Sequence, residues 1–358
     1  MGWNGIGVST WHSCAPYGRR WEYDCFAETA ASPHHSWRNG VGRRSASCLL
    51  RQSPDAERGL LRLLRAGELQ RRRNPDAADF NSHRGYEADL LTALETMDGA
   101  GLSFNRRAIA EWPGIWLLSA GDEFDIVGGG ITILDSRTRN DDGNTAIAFT
   151  NGHITFRQSL LVRAEDAQRL ATHDALTSDV RVGVLTGTTG EARLLQLTGL
   201  ADGNGVLAAG TRVATGAGDV LADGSEGYTI TAAATSPILQ GRRHIYPPDG
   251  TMPQVIYLGD ESGEVELLDA LRNGDIDAIG RGAIGNTDAA QESDGAFAVT
   301  ALDDAVEYGG FTVAAGDTEL LALLNERIDF LTDHRRIGYA EWRADPTVFL
   351  QRAARWEQ

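Results

Sequence analysis

Lysine is missing altogether: all 33 basic residues of the 358-residue sequence are arginine. Against them stand 50 Asp and Glu, for a net charge of −17. An acidic surplus of that size excludes nucleic acid as a partner, because phosphate binding needs a basic surface. No apolar run reaches the ~18 residues of a membrane span, so helical insertion into a bilayer is not expected. Cysteine is scarce, with Cys14, Cys25 and Cys48 all near the start and no C-x-x-C spacing. That excludes a zinc ribbon; two of the three could pair, leaving one over, and incidental thiols are the expected reading. G-x-S-x-G, H-E-x-x-H, the phosphate loop with its Lys-Ser/Thr ending, and G-x-G-x-x-G opening a helix are all absent. The eight histidines are scattered, and His34-His35 alone makes no metal site. Neither metal nor cofactor is therefore expected.

What is present is ordinary globular material, 42% apolar and 23% charged. The length exceeds what one hydrophobic core usually serves, which predicts two lobes. Charge is uneven: residues 1–74 hold 12 Arg against 6 acids, the remainder 21 Arg against 44. Residues 1–58 mix Trp, His, Arg, Ser and Cys without periodicity and read as an irregular segment, disordered or foreign to the fold. Their loss should leave the folded part intact. The opening MGWNGIGVSTWHSC shows no basic start and no apolar stretch of a signal peptide, and taken alone it reads as cytoplasmic.

From about residue 59 periodic units appear. GYEADLLTALETM sets Tyr86, Leu90, Leu91, Leu94 and Met97 on one helical face, with Glu87 and Asp89 early, where the dipole favours acids. WPGIWLLSAGDEFDIVGGG reads as a helix opened by Pro113, a Gly121-Asp122 break, a strand over Phe124–Val127 and a Gly-rich exit. VELLDALRNGDIDAIGRGAIGN repeats that grammar, with a Gly274-Asp275 break and a strand over Ile276–Ile279. Two distant copies predict two similar α/β lobes. Between them, RVGVLTGTTGEARLLQL gives a strand at Val182–Leu185, a turn, then a helix. Strand–helix alternation predicts mostly parallel sheets. Residues 198–252 hold ten glycines and no strong helix, and read as a β-rich insertion. DTELLALLNERIDFL returns the chain to helix.

Several residues could hold an anion. The turn Gly187-Thr188-Thr189-Gly190 precedes a helix, so its free amides and hydroxyls form either an anion seat or an ordinary N-cap. In GGGITILDSR the glycines allow close backbone approach. Thr132 offers a hydroxyl, and Arg137 is either a bidentate carboxylate clamp or a solvated residue after a tight turn. Arg281, at the mouth of an apolar strand, needs an internal acid or an anionic ligand. Trp112 is a stacking wall or core packing. Glu191 either faces a ligand or answers the helix dipole. Asp122, Asp125, Asp275 and Asp277 read as caps.

GYEADLL, W-x-G-I at Trp112, GDEFDI, GGGITILDSR, AIAFTNGHITFRQSLLVR, GTTGE and GDIDAI follow one another in an order that resembles the bacterial extracellular solute-binding proteins of family 3. These are the polar amino-acid receptors of ABC importers. The likeness covers about residues 60–195 and 254–345. It implies an α/β fold with two lobes of the type II periplasmic-binding-protein kind and a hinge, carrying the β-rich insertion at 198–252. Lobe 1 would comprise residues 59–157 plus 313–358, and lobe 2 residues 158–312. It implies a carboxylate clamp from Gly130, Thr132 and Arg137, completed by Thr188 and Thr189, with Trp112 walling the pocket and Asp76 and Phe80 as further pocket residues.

The same likeness implies a periplasmic monomer that binds an amino acid or related carboxylate and delivers it to an ABC permease. The family's usual Asp for an α-ammonium matches Gly282 here, beside Arg281, which points away from an ordinary α-amino acid. Relatives similar to the cyclohexadienyl dehydratases offer an enzymatic alternative, and a sensing domain offers a third. Glu191 is then the candidate acid, since no other acid, base or nucleophile set is identifiable.

Overall fold

The computed structural model describes residues 62–69, 80–99, 101–258 and 264–357. The irregular segment 1–58 and the candidate Asp76 lie outside the described residues. The chain forms a mixed α/β fold built on two large sheets. In the first, strand Arg62–Leu69 pairs in parallel with Leu102–Ile109 and with Ile126–Gly128. Strand Thr312–Ala314 then joins antiparallel, between Ile126–Gly128 and Ile147–Phe149.

The second sheet has eight strands. At its centre Ala278–Gly282, Arg181–Gly183 and Gln254–Ile256 run parallel, while Gln158–Arg163 and Phe297–Thr300 add antiparallel on one side. On the other side come Arg242–Tyr246, Arg212–Thr215 and Gly218–Leu221, all antiparallel. Ile126 and Ile279 therefore belong to different sheets. A two-stranded ribbon, Ile154–Phe156 with Glu307–Gly309, occurs where the chain passes from one sheet to the other and back.

Each sheet buries its own core. Helix Tyr86–Thr96 places Tyr86, Leu90, Leu91 and Leu94, followed by Met97, in the interior. There they meet Leu64, Phe311, Val313, Phe349 and the apolar face of helix Thr318–Leu331. Asp317 caps that last helix, accepting from the Leu320 amide at 3.1 Å. In the second sheet the alternation of strand Gln158–Arg163 serves two cores. Leu160 and Val162 face one, and Leu161 faces the other with Leu267, Leu271, Ile276 and Ile279.

Residues 198–252 contain three strands and no α-helix. They extend the second sheet, and Leu207, Val213, Ile230, Leu239 and Ile245 enter the same core as Leu160 and Val182. The insertion is thus part of the sheet's interior.

The strands expected at Phe124–Val127 and Val182–Leu185 run Ile126–Gly128 and Arg181–Gly183, and two further boundaries differ for one reason each. Pro113 is exposed and precedes the helix, which is a 3₁₀ segment, Ile115–Ala120, begun after Gly114. Gly114 has φ 75°, a left-handed conformation that interrupts helical continuity where glycine tolerates it. The later strand runs Ala278–Gly282, ending three residues beyond the apolar run, because pairing with Gln158–Arg163 carries it on through Gly282.

Candidate functional site

The Gly-rich exit of strand Ile126–Gly128 is held from below by Glu87. Its Oε2 accepts from the amides of Gly129 at 2.6 Å and Gly130 at 3.2 Å, and its Oε1 meets His153 Nε2 at 2.8 Å. A Cβ on Gly128 would come within 2.7 Å of the Phe311 ring and 3.0 Å of the Glu87 carboxylate, so only glycine fits there. Burial pushes the Glu87 carboxyl up, but the His153 ring and the two glycine amides outweigh it and hold it below the usual carboxylate range. The early acid of this helix therefore shapes the loop that leads to Thr132. Sequence reasoning assigned it to the dipole alone.

Arg137, at the end of the following segment, is fully buried, with 0% exposure. Its guanidinium stacks over Trp116, 4.4 Å from the ring centroid, and over Trp112 at 5.3 Å. Nη1 donates to the Thr132 carbonyl at 3.2 Å, and Nη2 to the Gly187 carbonyl at 3.3 Å. The Nε–Nη2 edge donates to the Ala232 carbonyl, at 3.3 and 2.9 Å. One arginine thus joins the loop after the first sheet, the turn after strand Arg181–Gly183, and the insertion. The Trp112 indole N–H adds a second bond to the Gly187 carbonyl, at 2.9 Å.

The Gly-Thr-Thr-Gly turn is built by its own helix. Thr188 is the N-cap of helix Thr189–Leu197: its hydroxyl accepts from the Glu191 amide at 3.1 Å and donates to the Leu185 carbonyl at 2.8 Å. Thr189 points elsewhere. Its hydroxyl lies 3.3 Å from that of Thr132 and 3.2 Å from Gln158 Nε2, and Gln158 in turn donates to Glu307 at 2.9 Å.

Glu191 is fully buried behind the turn. One oxygen accepts from the Gly187 amide at 2.6 Å. The other accepts from the Tyr257 hydroxyl at 2.7 Å and from Arg242 Nε at 2.8 Å. Every one of these partners is a donor, so Glu191 here serves as an acceptor. Burial opposes the charge on Arg242, yet Tyr257 and Glu191 together hold its pKa above the ordinary value. Burial, reinforced by Glu191, pushes the Tyr257 hydroxyl well up. Arg242 and Tyr257 were not singled out from sequence. An Arg beginning a strand, with a second Arg after it, carries no signal until its buried acid is known.

The structure therefore brings together Trp112, Gly130, Thr132, Arg137, Thr188, Thr189 and Glu191. The backbone of Arg281 lies against Gly190 of the Gly-Thr-Thr-Gly turn, where a Cβ would come within 2.9 Å of its Cα, but its side chain turns to other partners. It pairs with Glu264, and donates to Asn286 Oδ1 at 2.6 Å and to the Gly285 carbonyl at 2.8 Å. Of the two partners open to it, the internal acid is the one found. Phe80 is half-buried in the turn ahead of Tyr86, and is not among the residues packed on the cluster of Ile115, Trp116, Phe124, Val127 and Ile131. Among the described residues, no His, Cys, Asp and Glu side chains gather as a metal site, and no helix is long and apolar enough to cross a membrane.

No protein-family model matches the chain, and no curated protein matches it by sequence. Solved structures match it by shape. The ligand-binding core of GluR0 in complex with L-glutamate is 14% identical, with a TM-score of 0.50 over 82% of this chain and 98% of that one. An ancestral arginine-binding protein bound to arginine is 16% identical, with a TM-score of 0.49 over 83% and 100%. The ancestral amino-acid-binding protein AncCDT-1, a precursor of cyclohexadienyl dehydratase, is 18% identical, with a TM-score of 0.46 over 83% and 96%. Two separately cored sheets, a ribbon where the chain passes between them and the likeness to the GluR0 core agree on one architecture. The chain has the two-lobed α/β fold of the periplasmic binding proteins, the fold of the family 3 solute-binding proteins.

Proposed function

We propose that the chain binds a small carboxylate-bearing molecule, an amino acid or a related acid, between its two lobes and performs no chemistry on it. Lobe 1 comprises residues 59–157 and 313–358 and lobe 2 residues 158–312, with the 198–252 insertion on the second. The observation that carries the reading is the burial of Arg137 at the junction, stacked on two tryptophans and bonded to groups from both sheets. A guanidinium so placed offers a planar fork suited to a carboxylate, and water is excluded around it. Thr132 and Thr189, whose hydroxyls meet across the same junction, supply neutral donors and acceptors beside it. The ribbon Ile154–Phe156 with Glu307–Gly309 is the hinge about which the lobes close. Glu191 belongs to the support of the turn.

In the cell this is the receptor of an ABC permease, a monomer acting in the periplasm. The solved structures of similar shape include an arginine-binding protein and the substrate-binding protein of an amino acid ABC transporter, which supports that reading. A thermal-shift screen of amino acids, dicarboxylates and keto acids tests it. A ligand of the folded state raises the melting temperature in step with concentration over Kd. One chemical family should do so, and a flat response across all three would refute the proposal.

A further inference from the structure

The insertion reaches the proposed ligand site. Residues Thr231–Ala234 form a tight turn closed by its own bonds: the Thr231 amide donates to the Ala234 carbonyl at 2.8 Å, and the Ala234 amide to the Thr231 hydroxyl at 2.9 Å. Isolated bridges at Ile230–Thr235 and Val206–Thr229 anchor it to the rest of the insertion. At its tip Ala232 is 6% exposed, and its carbonyl receives both donors of the Arg137 Nε–Nη2 edge. Ala233 packs on the cluster that contains Trp116, beside Trp112. The run Thr231-Ala-Ala-Ala-Thr235 has side chains small enough to enter that junction.

From this we infer that the Thr231–Ala234 turn is an intramolecular occupant of the site, competing with a carboxylate ligand for Arg137. The inference rests on the reading of Arg137 as the ligand clamp. The edge held by Ala232 is the side-on fork that a carboxylate would take. A peptide carbonyl is neutral, and charge-assisted hydrogen bonds to an ionised acceptor are roughly twice as strong. A carboxylate therefore displaces the turn despite the high effective concentration of a tethered group. Because the turn is closed by Thr231 rather than by Arg137, it can lift away as a unit. Its foot is firm: Arg242, farther along the insertion, is buried against Glu191 and also donates to the Thr235 hydroxyl at 3.3 Å. A site whose competent state is fractionally populated binds more weakly by that fraction. The insertion thereby raises the ligand concentration at which the protein responds.

The test compares the full chain with a variant in which Thr231–Ala234 is replaced by Gly-Gly, and with Ala233→Arg, which lifts the tip by bulk and like charge without shortening the chain. The common L-amino acids, dicarboxylates and keto acids are titrated calorimetrically, and Arg137 is probed with phenylglyoxal followed by peptide mapping. Arg137 should be protected in the full chain and modified in both variants, and both should bind the same one of these acids about tenfold to a hundredfold more tightly. Equal affinity in all three chains, or an Arg137 still protected in the folded variants, would overturn the competition while leaving the binding reading standing. If Arg137 becomes reactive but no amino acid, dicarboxylate or keto acid binds any of the chains, the clamp reading and the competition built on it both fail.

Discussion

The two parallel-sheet units answer one local problem in the same way and then part. In the first sheet the Asp125 amide donates to the Arg65 carbonyl at 2.8 Å, and the Asp125 carboxylate accepts from the Arg65 amide at 2.7 Å and from its guanidinium. In the second, the Asp277 amide donates to the Arg181 carbonyl at 2.8 Å, and its carboxylate accepts from the Arg181 amide at 2.9 Å and from its guanidinium. The repeated Gly-Asp grammar thus places an acid where each short strand begins, and that acid pins the neighbouring parallel strand by main chain and side chain together. Beyond that point they diverge. The first unit exits through glycines, propped by Glu87, toward Arg137. The second exits through Arg281, which its own Glu264 and Asn286 absorb. A shared device for starting a strand leaves the exit free to specialise, and only one exit delivers its arginine to the junction.

Breaking the links on either side of that divergence should give graded effects. The largest belongs to the second unit. Arg242→Ala leaves Glu191 buried without its cation, and losing one partner of a buried pair costs about 3–5 kcal/mol. Denaturant unfolding should show that loss. Next comes the prop in the first unit. Glu87→Gln removes bonds to a charged acceptor, each typically worth about 1.5–3 kcal/mol. The folded carboxyl is held below its unfolded value of about 4.3, so its contribution is fully present above that pH and is lost as pH falls through the folded value. The stability gap between wild type and variant, measured by unfolding across pH 7 to 3, should therefore narrow on the acid side.

The pinning acids themselves give the sharpest comparison. The Asp277 side chain is 13% exposed, touches both Arg163 and Arg181, and is held below the usual range because these arginines outweigh its burial. Asp277→Ala should cost about 2 kcal/mol. Asp125 is 27% exposed and its Arg65 partner 48%, so solvent screens the pair and Asp125→Ala should cost clearly less than Asp277→Ala. Equal losses for the two, by the same denaturation measurement, would show that burial does not set the difference between the units.

Much of this was legible in the sequence where periodicity carried it. The faces of helix Tyr86–Thr96 and helix Thr318–Leu331 follow from apolar spacing alone. The order of Gly-Asp breaks and Gly-rich exits pointed to a two-lobed α/β fold. Thr132, Arg137 and the Gly-Thr-Thr turn were singled out because hydroxyls, glycines and a lone arginine after strands are unusual company. What stayed hidden depended on contacts distant in sequence. Glu87 and Gly129 are 42 residues apart, Glu191 and Arg242 51, and Arg137 and Ala232 95. No spacing rule joins such positions. Ala232 is harder still, since its contribution is a main-chain carbonyl and any residue type carries one. Arg281 showed the converse: its need for a partner was legible, but not whether the partner lay inside the chain.

The central claim is that Arg137 holds a ligand carboxylate at the junction of the two sheets. Calorimetric titration of wild type, Arg137→Lys and Arg137→Ala with the amino acid or acid that the thermal screen identifies tests it most directly. Losing a buried charged partner costs about 2–5 kcal/mol. At about 1.4 kcal/mol per tenfold, Arg137→Ala should bind at least about 30-fold more weakly. Arg137→Lys should recover only part of the loss, because an ammonium lacks the planar fork. A folded Arg137→Ala protein that binds as tightly as wild type would contradict the account.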